Sequence, residues 1–126
     1  MNPIVHFEIM AGPGQDKQKL QQFYARTFDW NVDTDNPFDY GMVDPGASKS
    51  GERGIAGAID ASEDGPDVIV YIEVDDPQKY MDRALANGGT QVMPVTVIPG
   101  AVTMAQFKDP SGNLMGIVAS ATPPGE

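Results

Sequence analysis

Phe107-Lys108-Asp109-Pro110-Ser111-Gly112-Asn113 is the stretch whose reading decides the fold. Its last five residues have the chemistry of a tight turn. Aspartate and asparagine bond nearby backbone, proline presets φ, and glycine accepts positive φ at little steric cost. Residues 102–107 and 113–118 on either side are apolar and β-branched, so the turn joins two strands into a hairpin. Asp109 needs no catalytic role in this reading.

Toward the N-terminus, Asp67–Val74 reads as a strongly apolar strand. Asp76-Pro77 then starts a helix, because aspartate caps free amides and proline at the first helical position sacrifices no needed donor. Tyr80, Met81, Ala84 and Leu85 form its buried stripe, Gly88-Gly89 ends it, and a strand follows near residues 90–93.

The first half has the same order. Residues 4–9 read as a strand, Gly12-Pro13-Gly14 breaks it, and Asp16 caps a helix. Leu20, Phe23, Tyr24, Thr27 and Phe28 supply the apolar stripe of that helix. Short strands fit residues 30–34, 40–43 and 54–59, with turn-forming residues between them. The order β-α-β-β-β therefore occurs twice. Val5-His6-Phe7-Glu8-Ile9 also echoes Val70-Tyr71-Ile72-Glu73-Val74, with the same apolar-x-apolar-Glu-apolar spacing.

These residues resemble the vicinal-oxygen-chelate superfamily, which includes glyoxalases, bleomycin-resistance proteins and extradiol dioxygenases. The histidine-bearing opening strand matches. So do Phe23-Tyr24-Ala25-Arg26-Thr27-Phe28-Asp29-Trp30, with Asp29 where the family usually has glycine, and Val74-Asp75-Asp76, Gly88-Gly89 and residues 107–113. The resemblance implies an α+β fold of two βαβββ modules whose curved mixed sheets surround a cleft. One domain spans residues 1–126, with module one at about 1–61, module two at about 66–120, and a frayed polar tail at 121–126. Phe23, Tyr24, Phe28 and Trp30 are expected to seal helix to sheet.

The resemblance also implies a divalent metal held by histidine, glutamate or glutamine side chains, two from each module. His6 matches the first ligand position and is the sole histidine. The second-module equivalent falls on Ile69 or Tyr71, the last-strand glutamate position on Gly116, and residues 54–59 carry no glutamate or glutamine. No cofactor is expected, because the standard metal site is incomplete and glycine at 116 leaves room rather than charge. A rearranged site of His6, Glu8 and Glu73 is the alternative, and the same three are the candidate catalytic groups, with His6 as base. Alternation along the strands places Ile69, Tyr71, Met104, Gln106, Leu114 and Gly116 as the ligand-binding set.

Two functional classes follow from the resemblance. One is a protein that binds a small organic molecule in the cleft without metal. The other is a metal-dependent lyase, isomerase or dioxygenase. A homodimer is expected by the same resemblance.

Composition narrows the partners. Eight basic against eighteen acidic residues give a net charge of −10, which disfavours nucleic acid and anionic membrane. The absence of cysteine excludes disulfides and thiolate chemistry. Met1-Asn2-Pro3-Ile4-Val5-His6 lacks the basic start and long apolar run of a secretory signal, so a cytoplasmic location is expected. No P-loop, dinucleotide fingerprint or HExxH motif is present.

Overall fold

The structure is a computed structural model and describes residues 1–37, 39–99 and 102–119. Its elements run β1 (Ile4–Ala11), α1 (Lys17–Phe28), β2 (Asn31–Asp33), β3 (Gly41–Asp44), β4 (Gly57–Ala61), β5 (Asp67–Val74), α2 (Pro77–Ala86), β6 (Thr90–Val97), β7 (Thr103–Lys108) and β8 (Leu114–Ala119). This is the βαβββ order twice over, in an α+β fold. The residues gather into two compact units. One is His6–Ile69; the other joins Met1–Val5 to the described residues from Val70 onward. The polar tail lies outside the described residues.

Strand order in the first unit is β2-β3-β4-β1, with β1 parallel to β4 and the other pairs antiparallel. In the second unit it is β6-β7-β8-β5, with β5 parallel to β8. Each module thus closes its first strand against its last.

Local chemistry sets the helix ends. The Asp16 carboxylate accepts from the Gln18 and Lys19 amides at 2.9 and 3.3 Å, and Asp76 accepts from the Lys79 amide at 3.2 Å ahead of Pro77. Asp29 ends α1 at φ 59°, in the left-handed region. That conformation is why glycine is usual at this position, and aspartate is among the few other residues that adopt it readily.

The second unit has a compact core of Val74, Met81, Ala105 and Ile117, with Ile72, Tyr80, Val95 and Phe107 against it. Met81 is fully buried, worth about 1.5–3 kcal/mol relative to an exposed side chain. In the first unit Tyr24 stacks on Trp30 with ring centroids 5.3 Å apart, and Trp30 meets Phe7 at 5.6 Å.

Some elements depart from the sequence reading. Phe23 and Phe28 are 54% and 57% exposed, so they flank the Tyr24–Trp30 stack rather than seal it. Leu85 is likewise exposed, at the margin of the α2 stripe. The buried residue of α1 is Gln21, whose amide donates to the Ile59 carbonyl at 2.9 Å and the Asp39 carbonyl at 3.3 Å. Strand β6 runs through Pro94 to Val97. It tolerates proline because it is the edge strand, and its register against β7 is already irregular. Strand β4 begins only at Gly57, after Arg53 makes an isolated bridge with Ala47.

Candidate functional site

In the first unit, β1 turns Phe7 toward the aromatic cluster of α1 and turns His6 and Glu8 to the opposite face, as strand alternation requires. Glu8 is buried, only 7% exposed. Such a carboxylate needs a donor. The Tyr40 hydroxyl supplies one, donating to Glu8 Oε2 at 2.9 Å.

Tyr40 is itself held by the chain before it. The Asn36 side-chain amide donates to the Tyr40 carbonyl at 2.6 Å, and Asn36 Oδ1 accepts from the Tyr40 amide at 2.9 Å. One side chain thus occupies both backbone groups of Tyr40, where a strand partner would otherwise sit. Asp39, just before it, adopts φ 51° and gives its carbonyl to Gln21.

His6 is half-buried, and its pKa lies below the ordinary histidine value of about 6.5. Burial disfavours the imidazolium, while the negative Glu8 partly opposes that effect. The group is therefore neutral near pH 7 and can accept a hydrogen bond or a proton. Sequence reasoning did not find Tyr40, Asn36 or Gln21. The signal available was the Asn36-Pro37 turn chemistry ahead of Tyr40, but nothing local shows that the phenol reaches a glutamate 32 residues away.

In the second unit, Gln106 Nε2 donates to the Tyr71 hydroxyl at 2.8 Å, and Tyr71 is the register partner of Gly116. A Cβ built at Gly116 would overlap the Tyr71 ring atoms Cδ1, Cε1 and Cγ. Glycine at 116 therefore does not leave room, because the aromatic ring fills the space a side chain would take. Ile69 and Tyr71 are 3% and 2% exposed and present almost no surface; Met104, Gln106 and Leu114 are half-buried. Glu73 is half-buried, and its backbone amide donates to the Pro3 carbonyl at 2.8 Å.

The structure thus brings His6 and Glu8 together, and separately Tyr71, Gln106 and Gly116. Apart from His6, the residues at the metal-ligand positions do not fit a divalent cation: the second falls on an isoleucine or a hydrogen-bonded phenol, the last-strand position on a glycine under a ring, and residues 54–59 carry no glutamate or glutamine. Among the described residues, no group of three or more histidine, aspartate or glutamate side chains is placed to hold a metal ion.

The profile of the glyoxalase-like domain family matches residues 10–118. The chain belongs to this family. The matched span begins two residues after Glu8, so His6 and Glu8 precede it. The glyoxalase-like chain is also 33% identical over 107 residues to "Putative glyoxylase CFP32" of Mycobacterium bovis and of Mycobacterium tuberculosis. That match covers 81% of this chain and 41% of each relative, so the chain spans about two-fifths of their length.

Among solved structures, a glyoxalase/bleomycin resistance protein/dioxygenase superfamily member from Vibrio splendidus 12B01 superposes with TM-score 0.60 at 16% identity, over 95% of this chain and 100% of that one. A variant of Streptomyces coelicolor methylmalonyl-CoA epimerase in complex with 2-nitronate-propionyl-CoA gives TM-score 0.61 at 15% identity, over 94% and 97%. At these identities the likeness is one of fold. Among the described residues no helix is long and apolar enough to cross a membrane.

Proposed function

We propose that this glyoxalase-like chain binds a small organic molecule without the divalent metal common in its superfamily, with His6, Glu8 and Tyr40 as its polar anchor. The observation that carries this reading is the Tyr71 ring over Gly116, which leaves no space for the last-strand glutamate. His6 offers an acceptor to a ligand donor. Glu8, fixed by Tyr40, supplies negative charge beside it. With the Glu8 carboxylate beside His6, this anchor favours a ligand that carries a donor or a cationic group on an apolar body. A coenzyme A ester, the ligand class of the epimerase structures, carries several negative charges and matches this anchor poorly.

The test is calorimetric titration of the tag-free protein with nickel, manganese and zinc, followed by a screen of small amines and neutral aromatics. Metal binding tighter than ~1 μM at one per chain, lost in His6→Ala, would overturn the reading. It would favour a metal-dependent lyase, isomerase or dioxygenase instead. A neutral imidazole near pH 7 favours a second, metal-free reading in which His6 takes a proton from the bound molecule. Its mark is a rate that rises with pH through the His6 titration.

A cytoplasmic location and pairing of two copies belong to the same proposal. Light scattering at tens of micromolar, a range in which stable dimers persist, tests the pairing.

A further inference from the structure

A cavity lies in the second unit, on the α2 side of its sheet, with a volume of about 440 Å³. Its walls are apolar: Ile72, Phe107 and Ile117 from the sheet, Tyr80 and Ala84 from α2. Tyr71, Gln106 and Gly116 take no part in it. Asn2 and Asn87 add amides at the rim.

The charged residue at this cavity is Arg83. Its guanidinium stands over the Tyr80 ring, 5.1 Å from the centroid, and Lys79 lies over the same ring at 5.6 Å. Among the described residues the ion pairs are Lys17–Asp60 and Arg53–Asp44. Arg83 therefore has no carboxylate partner among them, in a chain with more than twice as many acidic as basic residues. Stacking on tyrosine fixes the plane of a guanidinium and leaves its N–H fork available to a planar anion.

The end of α2 would ordinarily repel a negative ligand, because free carbonyls gather there. Here three of those carbonyls accept hydrogen bonds. The Arg83 carbonyl accepts from the Asn87 amide at 3.0 Å and from Asn87 Nδ2 at 2.7 Å. The Ala84 carbonyl accepts from Gly89 at 2.8 Å, and the Leu85 carbonyl from Gly88 at 3.3 Å.

We infer that this cavity is a binding site for a small organic monoanion, a carboxylate on a flat or branched apolar body. The body would lie against Ile72, Phe107 and Ile117, and the carboxylate would meet the Arg83 fork. The acidic surface does not forbid this, because charges beyond about 8 Å are largely screened at physiological salt. Volume and lining both suit a molecule of this class. The cavity shares no residue with the His6 anchor.

The test uses benzoate as probe, followed by methyl NMR on the full chain. Benzoate should shift the Ile72, Ala84 and Ile117 methyl signals along one saturable curve. Arg83→Gln, an exposed position, should weaken binding about tenfold, with Arg83→Lys in between, as a bidentate contact requires. Benzamide, the neutral isostere, should bind more weakly than benzoate to the parent chain and equally to Arg83→Gln. Equal benzoate affinity in parent and Arg83→Gln would overturn the proposal. So would shifts scattered away from these methyls, or no saturation by ~10 mM, the weak end for ligands of this size.

Discussion

The ring of Tyr71 lies over Gly116, its register partner across the parallel pair β5–β8, and occupies the space where any side chain at 116 would begin. Phe7 and Gly57 stand in the same relation across β1–β4, where an added Cβ would come within 2.6 Å of ring carbons. In each module an aromatic on the first strand thus covers a glycine on the last. Removing the glycine should cost as an overpacked core does. Gly116→Ala should destabilise by about 1–3 kcal/mol, read by chemical denaturation. In a Tyr71→Ala background the same change should cost far less, since the two positions are coupled. Equal costs in both backgrounds would show that the ring does not decide the residue at 116.

The lone histidine permits a direct pH test. The folded His6 pKa lies below its ordinary value, so the unfolded chain takes up the proton first as pH falls. The stability that follows from holding His6 neutral is complete above about pH 6.5 and is lost as pH falls through the folded value. NMR titration of the single imidazole should give a midpoint below 6.5, and Glu8→Gln should lower it further by removing the attraction that opposes burial. A midpoint at or above 6.5 contradicts the environment described.

Tyr40 and Glu8 form a bond whose loss removes one contact of a buried carboxylate. Tyr40→Phe should therefore cost about 1–3 kcal/mol. Asn36→Ala should cost about as much by releasing both backbone groups of Tyr40. It should also weaken any ligand that His6→Ala weakens. Thermal unfolding together with binding of that ligand checks both statements.

Asp29 occupies the left-handed region at the end of α1. Asp29→Gly should stabilise the chain by about 0.5–1 kcal/mol, because glycine takes that conformation without steric cost. Calorimetric unfolding would register this as a rise in Tm of a few degrees. A fall would mean that the aspartate side chain contributes more than its backbone costs.

The helix ends were legible because a cap is a local event. Asp16 and Asp76 bond amides two and three residues away, and their place before an apolar stripe is visible in one dimension. The Asp109 turn was legible for the same reason. Asp109 accepts from the Ser111 and Asn113 amides at 2.9 Å, and the Asn113 side chain leads the contacts that hold its carboxyl below the usual carboxylate range. The seal over α1 was less legible. Five apolar stripe positions outvoted Gln21, yet the amide is the residue that goes in, because it meets the carbonyls of Ile59 in β4 and of Asp39 between β2 and β3.

By itself, the sequence determined the order of elements, their capping chemistry and the family, since each rests on spacing within a few residues or on motifs along the chain. Tertiary structure alone decided that Tyr40 reaches Glu8 and that the Tyr71 ring closes Gly116. Both depend on which strands pair and in what register, and a shift of one residue would turn every one of these side chains to the other face.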